Sequence, residues 1–276
     1  MAAFHAKPDS ASIFIFKGAS RSDLKCSRTN VDKPDVKSPA SRDDMSNLNR
    51  LRNASRLFDD WPEKYDRWFE TPIGALVRKY ENELLLDLLQ PRPAEMILDV
   101  GCGTGVFTFD ILSFGPRITG LDISYPMLKR AEMKAKGYPF RAVAGDMKCL
   151  PFADECFDRV VSMTALEFIG DGQEAVKELL RVTKKGGVVV VTTLNSLSPW
   201  ADRRKKAADK GHSLFEQMIF RSPDDMRALA PIEATVKTAI HFLKEDDPQT
   251  APGIERDGQK RGLDTGAFVA ARWVKP

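Results

Sequence analysis

Residues 96–105 read Met-Ile-Leu-Asp-Val-Gly-Cys-Gly-Thr-Gly (MILDVGCGTG), a strand signal that runs straight into a glycine turn. Met96 to Val100 has the apolar character of a strand covered on both faces, broken only by Asp99. Gly101, Gly103 and Gly105 let the backbone turn sharply and approach a ligand without Cβ hindrance. A helix from Gly105 to Phe114 is expected next, and its first turn favours an anionic group. The segment therefore marks a ligand site in an α/β fold.

The acidic residues around the turn narrow the ligand. A dinucleotide fingerprint is G-x-G-x-x-G, whereas here the third glycine arrives one residue early. Asp99 would repel a pyrophosphate in a partly desolvated crevice, but it suits a ligand with an ammonium and a sulfonium. S-adenosylmethionine carries both. The competing reading of Asp99 is a carboxylate that ties down the loop backbone. Asp122 ends the second strand, 21 residues after Gly101, where an acid accepts from ribose hydroxyls in nucleoside-binding folds. Its alternative is a solvated cap for the helix after Ser124. Asp146 follows the third strand in Gly145-Asp146-Met147, placed to accept from an adenine amino group while Met147 packs on the ring. A Gly-Asp turn is the plainer alternative.

Outward from the turn, strands and helices alternate as in a parallel sheet covered on both faces. Further strands are expected at Arg117 to Leu121, Pro139 to Ala144, Phe157 to Met163 and Val188 to Leu194. Helices are expected at Pro126 to Lys136 and Gln173 to Thr183. Beyond them come a polar helix from Pro199 to Lys210 and a helix start at Ser222-Pro223-Asp224-Asp225. Two closing strands, Thr235 to Leu243 and Ala267 to Val274, are expected to be joined by a long polar loop. Upstream, Trp61, Tyr65, Trp68 and Phe69 recur at helical spacing, and Thr71-Pro72 caps a second helix that runs to Leu89. Residues 1–50, rich in Ser, Lys, Asp, Arg and Pro, read as a disordered extension. A single domain over 55–276 follows, with N-terminal lid helices at 55–92 and an acceptor-side insertion at 195–232.

The chain of 276 residues carries 42 basic and 39 acidic side chains, a balance that gives no hint of a nucleic-acid binder. Cys26, Cys102, Cys149 and Cys156 form no C-x-x-C pair, and His5, His212 and His241 lack metal-ligand spacing, so no metal site is expected. No apolar run approaches the roughly 20 residues that cross a bilayer. A cytoplasmic protein is the expectation.

The stretches ILDVGCGTG (97–105), GLDIS (120–124), GDMKCLPF (145–152), FDRVVSMTALEFI (157–169) and ELLRVTKKGGVVVVTT (178–193) resemble the class I S-adenosylmethionine-dependent methyltransferases. The resemblance is to the type 11 group, which includes the ubiquinone and menaquinone C-methyltransferases. It implies a three-layer, Rossmann-like α/β fold with a seven-stranded, mostly parallel sheet whose last strand is antiparallel. It further implies that S-adenosylmethionine is held by Asp99, Gly101, Cys102, Gly103 and Gly105 at its methionine part, by Asp122 and Ile123 at the ribose, and by Asp146 and Met147 at the adenine. Thr164, Ala165 and Leu166 would line the methyl-transfer side, with Tyr65 and Trp68 as lid residues or simple core packing.

The acceptor would be a small molecule of unread identity. Many relatives carry a His where this chain has Glu167, and the N-P-P-[YF] tetrad of amino-methylating nucleic-acid enzymes is absent, which argues against base flipping. Glu167 and His212 are the candidate bases, although Glu167 reads first as a solvent-facing or paired turn residue and His212 as a surface histidine. Arg203 to Lys206 read as a solvated face, with attraction of an anionic acceptor or a membrane surface as the sharper alternative. A non-catalytic cofactor-binding domain and a nicotinamide oxidoreductase are the rival functions.

Overall fold

The computed structural model describes residues 14–15, 58 and 61–276. Seven strands form the frame: β1 (Met96–Val100), β2 (Arg117–Asp122), β3 (Phe140–Ala144), β4 (Phe157–Ser162), β5 (Thr183–Leu194), β6 (Ala234–Ala239) and β7 (Phe268–Val274). They lie side by side in the order β3-β2-β1-β4-β5-β7-β6. The first five are parallel, and β7 runs antiparallel to both β5 and β6. Phe14–Ile15 adds a two-residue parallel strand at the β3 edge, opposite Val143 and Ala144. The disordered reading of 1–50 otherwise falls outside the described residues.

The continuous apolar runs work because successive side chains enter opposite layers. In β1, Ile97 joins one core and Leu98 the other; in β5, Val188 and Val190 face one layer and Val189 and Val191 its opposite. Each fully buried Val or Leu contributes on the order of 2 kcal/mol. One layer holds α2 (Pro72–Leu89) and α3 (Thr108–Leu112); the other holds α5 (Gly172–Val182) and α8 (Pro223–Arg227). The remaining helices are α1 (Pro62–Trp68), α4 (Tyr125–Lys134), α6 (Pro199–Ala208), α7 (Ser213–Glu216) and α9 (Ala251–Arg261). None of the described helices is long and apolar enough to cross a membrane.

Local chemistry sets several boundaries as expected. The Thr71 side chain accepts from Gly74 N at 3.1 Å with Pro72 at the first helical position. Ser222 and Asp225 form a reciprocal capping box. Three expectations need correction. The helix after the glycine turn starts only at Thr108, because residues 101–107 are spent on turns. The strand expected to reach Leu243 ends at Ala239, where Ile240 takes a left-handed φ of 68°. The long polar loop contains α9. Its Pro252, Gly253 and Gly258 dilute the helical signal in the sequence, yet Gly258 is required because the His241 ring packs on its Cα. Glu255 on α9 is fully buried and accepts from His241 N at 2.6 Å.

Candidate functional site

The C-terminal ends of β1 to β4 border a cavity of about 730 Å³, in the crevice where open α/β sheets bind ligands. The turn after β1 is pinned by Gly101 N and Cys102 N, which donate to Leu121 O at 2.7 and 3.1 Å. Gly101 has φ 76° and a Cβ there would lie 2.5 Å from the Ala165 Cβ, so neither the conformation nor the space admits a side chain. Gly103 (φ 53°) presents open space where its Cβ would be, and lines the cavity. Gly105 does not line it: its missing Cβ faces the Phe109 ring, so it shapes the turn and its expected place in the ligand wall is corrected.

Asp99 is 2 % exposed. Its Oδ2 accepts from the Thr108 hydroxyl at 2.6 Å, and its Oδ1 is buried with no partner among the described residues. Burial pushes its pKa up to about 7, against the pull of Thr108 and with a further push from Asp122. The carboxylate thus makes no bond to the loop backbone. That task falls to Asp122, which accepts from Gly103 N through Oδ2 and from Ser124 N through Oδ1, both at 2.8 Å. Ser124 itself caps α4. Asp146 accepts from Lys148 N at 2.9 Å, so the Gly-Asp turn is real and its carboxylate still lines the cavity beside Met147. Cys102, Ile123, Thr164 and Tyr65 line it too.

α1 lies across this opening. Asp66 accepts from Thr104 Oγ1 at 2.6 Å in the glycine turn and from Arg130 Nε and Lys134 Nζ on α4, each at 2.8 Å. One residue earlier, Tyr65 lines the cavity together with Thr164, and burial drives the phenol's pKa upward. Thr164 holds a left-handed φ of 44° while its N donates to Thr192 Oγ1 at 3.1 Å. Non-glycine backbone in that region is costly and clusters at functional sites.

The rest of the cavity is apolar and aromatic, with a charged cluster that the sequence reading mostly missed. Glu167 is buried on a 3₁₀ turn (Leu166–Phe168) and faces the cavity rather than solvent, correcting the plainer expectation. Its turn is stapled by Arg221, which donates to Leu166 O at 2.8 Å and Ile169 O at 2.6 Å. Thr193 Oγ1 donates to Glu167 Oε2 at 3.2 Å, and burial raises the Glu167 pKa to about 7. Glu81 on α2 is buried in the same wall with its pKa pushed up to about 8 by burial. Arg203 and Arg204 both line the cavity, Arg203 as an exposed residue and Arg204 half-buried, whereas Lys205 and Lys206 are exposed and line no part of it, as the solvated-face expectation had them. His212 sits exposed at the rim, its ring stacked 3.9 Å from that of Phe215.

A family model described as a methyltransferase domain matches residues 98–191. The malonyl-[acyl-carrier protein] O-methyltransferase of Pseudescherichia vulneris is 37 % identical over 234 residues, covering 77 % of this chain and 90 % of its own. The demethylmenaquinone methyltransferase of Renibacterium salmoninarum is 35 % identical over 142 residues, which span 51 % of this chain and 59 % of that relative. Among solved structures, an S-adenosylmethionine-dependent methyltransferase from Thermotoga maritima, described as a possible histamine N-methyltransferase, shares the fold with TM-score 0.58 at 24 % identity, covering 80 % of this chain and 99 % of its own.

Proposed function

This chain belongs to the class I S-adenosylmethionine-dependent methyltransferases, and we propose that it methylates a small, largely apolar acceptor seated between α1, α6 and the Glu167 turn. When bound, S-adenosylmethionine supplies an electrophilic methyl group. The residues of the strand-end wall fit that molecule. The unpartnered Asp99 Oδ1 offers a buried ammonium one of the acceptors its three donors need, and Gly103 leaves room for close backbone approach. Asp122 is placed for the ribose hydroxyls, and Asp146 with Met147 for the adenine. Asp99 carries the reading, because a buried half-satisfied carboxylate in a cavity wall is unfavourable until a cation meets it.

On the acceptor side, Thr164 and Ala165 give a floor, with Leu166 turned into the core instead of the expected methyl-transfer wall, and alignment of the two reactants can supply much of the acceleration. An acceptor that arrives protonated would lose its proton to Glu167, whose pKa near 7 suits a general base. Cys102 and Cys149 are free thiols, which supports a reducing, cytoplasmic setting. Calorimetry with S-adenosylhomocysteine tests the cofactor assignments. Asp122→Ala should bind at least about tenfold more weakly, the loss of a charged hydrogen bond being worth roughly 1.5–3 kcal/mol. An unchanged affinity in a variant with a wild-type melting curve would sink the ribose assignment.

A further inference from the structure

The acceptor end of the cavity holds one group whose chemistry is unfinished. Arg204 projects from α6 into the cavity with its guanidinium 5.3 Å from the Trp200 ring centre. Its Nη1 is buried and hydrogen-bonds to nothing in the described chain. Glu81 and Glu167 share the wall and feel its charge, yet neither forms an ion pair with it. A guanidinium stays charged in proteins and presents a planar fork matched to an oxyanion. Leaving such a donor buried and unmet costs free energy unless a ligand completes it.

We propose that Arg204 sets acceptor specificity by anchoring a carboxylate on an otherwise apolar, ring-bearing acceptor. The inference rests on the reading above that S-adenosylmethionine fills the strand-end wall, so that the α6 side is left for the acceptor. Three observations support an anion rather than an amine. Arg204 Nη1 is buried with no hydrogen-bond partner among the described residues, whereas Glu167 already accepts from Thr193. Lys64 and Lys244 stand along the same cavity and add positive potential to it. Burial also holds Glu81 and Glu167 toward their neutral forms, so near neutral pH they oppose Arg204 only in part. A monoanion suits this balance better than a phosphate dianion, which two neighbouring carboxyls would repel. The body of the acceptor meets Trp61, Trp68, Trp200 and Phe215, flat faces on which a ring can stack.

The test uses the full chain saturated with S-adenosylhomocysteine and three matched probes: 2-naphthoate, its methyl ester and 2-naphthylmethylamine. Calorimetry should find the acid bound at least about tenfold tighter than the ester, the scale of one charge-assisted hydrogen bond pair, and the amine weakest. Arg204→Met should bring the acid down to the level of the ester while leaving S-adenosylhomocysteine affinity unchanged, and Arg204→Lys should keep part of the preference. Equal binding of acid and ester, no binding of the acid, tightest binding of the amine, or an acid preference that survives Arg204→Met each overturns the proposal. If Arg204→Met fails to fold, the wild-type comparison of acid with ester decides alone. Failure of the wild-type chain to bind S-adenosylhomocysteine sinks the cofactor reading instead, and so distinguishes the two.

Discussion

Asp66 on α1 accepts a 2.6 Å hydrogen bond from the Thr104 hydroxyl inside the glycine turn, joining an upstream helix to the loop that contacts the cofactor site. Burial alone would raise the Asp66 pKa, but Lys134, Thr104 and Arg130 outweigh it and hold the carboxyl low. Asp66→Ala removes all three partners at once. It should accelerate S-adenosylhomocysteine dissociation and weaken its affinity by roughly tenfold, the value of one or two partly buried charged contacts. Surface plasmon resonance reads both quantities, and an unchanged dissociation rate would show that α1 does not retain the ligand.

Cofactor affinity should depend on pH through Asp99. Its pKa of about 7 is raised by burial, and a cationic ligand binds its ionised form. Binding therefore expels a proton below pH 7, and affinity rises as pH climbs through about 7 before levelling off. Asp99→Asn should flatten that rise. Calorimetry in buffers of different ionisation enthalpy counts the proton directly; a rise that persists in Asp99→Asn would assign the titration to another group.

Glu81 predicts the pH dependence of stability in the ligand-free chain. Its folded pKa, about 8, stands above the ordinary 4.5 because of burial. A raised acid stabilises the fold at low pH and loses that contribution as pH rises through about 8. Glu81→Gln, which keeps the shape without the proton, should match wild type near pH 4.5, gain on it between there and pH 8, and exceed it by a few kcal/mol near pH 9. Urea unfolding at the two pH values checks this. A variant that is less stable at both would mean the ionised carboxylate is favourable where it sits.

The grouping of three acids in one cavity wall was legible in the sequence because each stands at a strand end, and a strand end followed by glycine or a helix cap fixes where a side chain points. Asp99, Asp122 and Asp146 come together on that ground alone. Glu81 and Arg204 were not legible. Glu81 lies within an 18-residue helix where Glu83 and Asp87 are ordinary surface acids, and only the packing of α2 on the sheet separates the buried acid from the exposed ones. Arg204 is one of four consecutive basic residues, and the rotation of α6 decides that Arg203 and Arg204 border the cavity and that Arg204 is the less exposed of the two. The α9 helix escaped for the opposite reason. Its local propensity is poor, and a tertiary contact, His241 against Gly258 and Glu255, supplies what the sequence lacks.

Tyr65 and Asp66 are adjacent on one seven-residue helix, the first in the cavity wall with Thr164 and the second bound to Thr104 in the glycine turn. Both residues are carried on one short stretch of backbone. The two compartments are therefore not independent binding sites. Whatever factor the cofactor contributes to acceptor affinity by seating this helix, the acceptor must return to the cofactor in equal measure, and the pair will bind with positive cooperativity although no residue of α1 touches the bond that changes.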